Sequence, residues 1–75
     1  MKELLEFIAK SLVEKPEEVE VTQTEGETSI VLELKVASGD MGKVIGKQGK
    51  IAKAIRTVVR AATSGEKKKV IVDIV

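Results

Sequence analysis

An α+β fold in two layers, with helices on one face of a three-stranded sheet, is what this 75-residue sequence predicts. Two observations carry the prediction. Apolar residues recur at helical spacing near the start of the chain and again beyond its middle, whereas between them they alternate at every second position. The elements follow one another in the order αββααβ without a linker, a low-complexity stretch or a long internal repeat, and one helix layer on one small sheet suits this length. The chain therefore reads as a single small domain over residues 1–75.

Each element has its own signal. Leu4, Leu5, Ile8, Leu12 and Val13 fall on one stripe and Glu3, Glu6, Lys10 and Glu14 opposite them, which predicts an amphipathic helix over residues 4–13, stopped by Pro16. Val19 and Val21 alternate with Glu20 and Thr22 as a short strand, and Glu25-Gly26-Glu27 reads as a turn. Ile30, Leu32, Leu34 and Val36 alternate with Val31, Glu33 and Lys35, the pattern of a half-buried strand. Ser38-Gly39-Asp40 closes it, with Asp40 placed to cap a brief helix from Met41 to Ile45. A second long helix carries Ile51, Ile55, Val58, Val59 and Ala62 on its apolar stripe and Lys53, Arg56 and Arg60 on another face. Thr63-Ser64-Gly65-Glu66 ends that helix, and Val70 to Val75 forms the last strand.

Composition narrows the function. The chain has no cysteine, so a disulfide framework or a thiolate metal site is excluded, and a reducing compartment is the simpler expectation. No apolar run approaches the roughly 20 residues of a membrane span, and Met1-Lys2-Glu3-Leu4 does not begin a signal peptide. A cytoplasmic protein is expected. The net charge of +1 conceals an asymmetry: residues 1–42 hold four lysines against ten acids, and residues 43–75 hold nine Lys and Arg against Glu66 and Asp73. Such a basic half attracts a polyanion even when the overall charge is near zero.

The glycines and lysines of that half are concentrated in one run. Gly42-Lys43-Val44-Ile45-Gly46-Lys47-Gln48-Gly49-Lys50-Ile51 places three glycines and three lysines in ten residues. Glycine permits positive φ, so Gly46-Lys47-Gln48-Gly49 can turn tightly and let a sugar-phosphate chain approach the backbone. Because Ile51 opens a helical pattern, the turn lies at a helix N-terminus, where free N–H groups and the positive end of the helix dipole favour an anion. Read purely as structure, the two glycines are a joint between helices and the Lys53, Arg56, Arg60 stripe is a solvated face.

Val44-Ile45-Gly46-Lys47-Gln48-Gly49-Lys50-Ile51, followed by Ile55, resembles the V-I-G-x-x-G-x-x-I-x-x-I core of the KH domain, although Ala52 stands where the family commonly has isoleucine. The αββααβ order resembles the bacterial type II form, and the whole chain is similar to the small single-KH proteins of the KhpA type. The resemblance implies binding of single-stranded RNA, about four nucleotides being held in a narrow groove with the GxxG loop clamping the backbone. It makes Gly46, Lys47, Gln48 and Gly49 the clamp, with Lys47 and Gln48 facing phosphates by charge and by hydrogen bond. Val44, Ile45 and Ile51 would help form the groove floor, and Lys43, Lys50 and Lys53 would be auxiliary phosphate contacts, with Arg56 and Arg60 as further candidates. The last strand, Val70 to Asp73, would be the far wall and Ser64 to Lys68 the variable loop. It also implies an RNA chaperone or post-transcriptional regulator that self-associates and pairs with a larger KH protein of the KhpB type.

The rival readings have less support. Phe7, the single aromatic residue, lies away from the helix stripe of Leu5, Ala9 and Val13 and offers a surface to a protein partner. It also lies far in sequence from the glycine loop, so base recognition must rest on aliphatic contacts, backbone groups and a few polar side chains, which predicts weak sequence preference. Catalysis is not expected. Without His, Cys or Tyr the remaining candidates for acid, base or nucleophile are carboxylates, Lys, Ser and Thr, and none forms a recognisable constellation; no spacing suggests a metal site, and no cofactor motif is present. Gly42 to Gln48 resembles a P-loop only superficially, since it has one residue too few between the glycines and Gln48 where Ser or Thr would hold magnesium.

Overall fold

A computed structural model describes residues 1–75. Helix α1 spans Lys2–Leu12, strands β1 and β2 Glu20–Glu25 and Ser29–Lys35, helices α2 and α3 Met41–Ile45 and Lys50–Ala62, and strand β3 Lys69–Ile74. Short 3-10 turns occupy Pro16–Glu18, Ser38–Asp40 and Lys47–Gly49. The order αββααβ is the expected one. β2 is the central strand, antiparallel to β1 and parallel to β3, so the sheet is mixed and its order is β1-β2-β3. The return from β2 to a parallel β3 needs a crossover, and α2 with α3 provides it.

Period-two alternation gives the sheet one apolar face. Val21, Ile30, Leu32, Leu34 and Val72 are buried beneath the helices, together with Leu5 and Ala9 of α1 and Ile55 and Val59 of α3. Fully enclosed side chains such as Leu5, Leu32 and Leu34 each stabilise the fold by roughly 1.5–3 kcal/mol. Glu33, Lys35 and Asp73 point to the open face and are exposed.

Several boundaries differ from expectation. α1 ends at Leu12 because Val13 is extended (φ −96°, ψ 161°), and Pro16 instead opens the next turn, where its fixed φ suits a first helical position. β1 runs on to Glu25, paired with Ile30, although most of its residues are exposed and leave no hydrophobic alternation to read. Asp40 does not cap α2. Its carboxylate is turned back into the protein, 3% exposed, and accepts the N–H groups of Glu14 (3.2 Å) and Lys15 (3.1 Å). On α3 the buried stripe is Ala52, Ile55 and Val59, and Val58 is 48% exposed. Positions 52, 55 and 59 fall within about 60° of one another at 100° per residue, whereas 58 lies about 60° outside that arc.

Candidate nucleic-acid interface

The short helix α2 delivers the chain to the glycine loop and α3 carries it away. α2 closes with the Gly46 N–H donating to Gly42 O at 2.8 Å, and the loop is tied by the Gly49 N–H donating to Gly46 O at 3.1 Å. Gly46 has φ 76° and ψ 174°, a region essentially reserved for glycine. A Cβ there would also lie 2.6 Å from the Ile51 side chain, so conformation and space both require glycine. Gly49 is left-handed (φ 73°, ψ 15°) in open surroundings, so only its backbone conformation selects glycine. Between them Gln48 is also left-handed (φ 58°, ψ 25°), the one non-glycine residue of the chain at positive φ. An L-residue held there costs about 1–2 kcal/mol. Nothing in a glutamine signals this conformation in sequence; the flanking glycines and the turn geometry impose it.

The predicted site residues divide by environment. Lys47 and Gln48 are exposed at the loop tip, and Lys50 and Lys53 are exposed on the first turns of α3. None of these three lysines takes part in a salt bridge. No side chain caps the N-terminus of α3, and the positive end of its dipole adds to their field. Lys43 is engaged, its Nζ lying 3.5 Å from Glu14 Oε1. Ile45 is 37% exposed beside the loop and Ile51 is half-buried under Gly46. Val44, expected in the groove floor, is fully enclosed in the core, because on α2 it faces inward while Ile45 turns outward.

A groove of about 220 Å³ runs between α3 and β3. Arg56, Val59 and Arg60 line one side and Lys69 to Val72 the other. Arg56 spans it, with Nε donating to Val72 O at 3.1 Å. β3 is an edge strand, and the Lys69 and Val75 N–H groups point inward to Thr28 O and Leu34 O. The even-numbered positions Val70, Val72 and Ile74 therefore turn their backbone groups toward the groove side. The glycine loop itself lines none of the surface cavities. The sequence pattern starts the last strand at Val70; the parallel register that begins at Ser29 opposite Lys69 brings Lys69 into it as well. No group of acidic, His or Cys side chains is arranged to hold a metal ion, and no helix is long and apolar enough to cross a membrane.

A left-handed glycine turn between two helices, carried on a mixed three-stranded sheet in the order αββααβ, defines a KH-type domain. A family model described as "KhpA/KhpB, KH domain" matches residues 2–74, and the chain belongs to that family. Among curated proteins, it is 69% identical to a protein of Clostridium perfringens and 67% identical to one of Clostridium acetobutylicum, each over the full length of both chains. It is 49% identical to one of Chlamydia trachomatis over 99% of this chain and 95% of that protein. All three bear the name "RNA-binding protein KhpA". No solved structure matches the chain significantly.

Proposed function

We propose that the chain acts as one KH domain over residues 1–75 that binds single-stranded RNA, the loop Gly46-Lys47-Gln48-Gly49 clamping the phosphate backbone. It has no catalytic role and serves in the cytoplasm as an RNA chaperone or post-transcriptional regulator. The observation that carries this reading is the loop: three of its four residues are held at positive φ, and the two non-glycine side chains stand exposed beside unpaired lysines at a helix N-terminus. The conformational cost at Gln48 has no compensating packing, as expected where backbone geometry serves a ligand. The names of the similar proteins specify RNA as the polyanion.

Fluorescence anisotropy with a short unstructured RNA tests it, comparing the wild type with the double change Lys47→Asp, Gln48→Asp over a salt series. Three or four phosphate contacts give a log-log slope of about −2 to −3 for a single strand, and the double variant should lose binding while remaining folded. Equal binding by both proteins, or none by either at low salt, sinks the reading.

A second, compatible reading is a protein-interaction role, either self-association or pairing with a KhpB-type protein. It is favoured by Phe7, 70% exposed on the outer side of α1, and by the exposed Val58 on α3. Phe7→Ser should then lower the apparent mass in sedimentation without altering RNA binding per chain.

A further inference from the structure

The geometry points to a second phosphate-binding position at the end of the α3–β3 groove remote from the glycine loop, formed by Arg60 and Lys69. This inference rests on the RNA-binding reading above and extends the RNA track beyond the four nucleotides that a GxxG clamp engages.

The nine basic side chains of residues 43–75 are not equivalent. Lys43 is held by Glu14 and Lys68 by Glu25 at 2.6 Å, while Arg56 is bonded to the Val72 carbonyl. Arg60 and Lys69 are exposed and make neither a salt bridge nor a side-chain hydrogen bond. They come from opposite walls, Arg60 from the last turn of α3 and Lys69 from the first residue of β3. Both border the 220 Å³ groove and also the adjoining hollow of about 320 Å³ that continues past Thr63 and Ser64. Glu66 shares that hollow without pairing to either cation.

Their position relative to the clamp follows from the helix. Lys50 and Arg60 are ten residues apart on α3, about 15 Å at 1.5 Å per residue. The unpaired cations Lys47, Lys50 and Lys53 gather at one end of α3, and Arg60 with Lys69 at the other, where Lys67 in the connecting loop is also unpaired and Lys68, held by Glu25, borders the same hollow. A single strand leaving the clamp along the groove meets a second pair of donors only after crossing Arg56. Arg60 can grip a phosphate with two parallel N–H donors; Lys69 supplies a point charge from the facing wall.

The decisive experiment compares fluorescein-labelled oligouridylates of four and eight nucleotides. Arg60→Gln with Lys69→Gln should leave the tetranucleotide affinity within about twofold and weaken the octanucleotide roughly tenfold at low salt, with a slope shallower by about 1.4 for two lost contacts. Lys2→Gln with Lys10→Gln removes the same charge from α1, outside the groove, and should weaken neither oligonucleotide more than about twofold. Equal effects of the two double variants, or equal weakening of both lengths by the first, overturn the proposal in favour of a general field. Retention of octanucleotide binding by Arg60→Gln, Lys69→Gln also overturns it. Failure of the clamp reading looks different: there the wild type binds neither length, or the loop variant binds both.

Discussion

Two 3-10 turns flank α2, and they use their polar side chains in opposite ways. At Ser38–Asp40 the carboxylate is buried and given to two backbone N–H groups from the segment after α1. At Lys47–Gly49 the side chains are exposed and without partners in the protein, and the backbone is held at positive φ. The first turn engages its carboxylate inside the fold and ties two remote segments together. The second leaves its donors available and stores local strain. The contrast separates a structural clasp from a loop whose donors stay free, at two connections of equal length, a few residues apart.

The largest expected effect comes from closing the glycine loop's backbone to its conformation. Gly46→Val introduces a branched side chain at positive φ and against Ile51, a loss of about 4 kcal/mol. A chain of 75 residues has only about 4–11 kcal/mol of stability, so this variant should lose between about a third and all of it, read as a sharply lowered urea midpoint. A loss below about 1 kcal/mol would show that the loop rearranges freely and is not the rigid element described.

Asp40→Ala should come next, at about 3 kcal/mol, since it orphans the partly buried Glu14 and Lys15 N–H groups. RNA affinity of the folded fraction should be unchanged. A weakened affinity in the folded variant would break the division between clasp and loop.

Gln48→Gly should act in the other direction, raising the urea midpoint by the equivalent of about 0.5–1 kcal/mol as relief of left-handed strain outweighs the freer unfolded chain. Destabilisation would mean that the glutamine side chain supports the fold. The smallest effect is expected of Lys68→Ala. Its pair with Glu25 is largely exposed, so less than about 1 kcal/mol should be lost, and the difference should vanish in high salt.

Much of this was legible in local patterns. The alternation of Ile30, Leu32 and Leu34 marked β2, and the spacing of Ile55 and Val59 marked α3, because a period of 2 or 3.6 is a property of consecutive residues. β1 was underestimated because only Val21 of its six residues is buried; an edge strand held by pairing carries little hydrophobic signal. Asp40 was misread because its residue type and place before α2 suit a cap, while the N–H groups that claim it lie 25 and 26 residues earlier. Val44 and Ile45 are chemically alike, and only their angular position on α2 sends one into the core and the other outward.

By itself the sequence determined the order of elements, the glycine turn and the concentration of positive charge in the second half of the chain. These follow from short-range stereochemistry and from composition, which need no knowledge of what lies across the fold. Only the tertiary structure decided which cations are free. Lys43 meets Glu14, Lys68 meets Glu25 and Arg56 meets the Val72 carbonyl because α1, β1 and β3 are brought beside them. The parallel register of β3 on β2 likewise sets Lys69 across the groove from Arg60. Charge is inherited residue by residue, but its neutralisation depends on distance, and distances between remote residues exist only once the chain has folded.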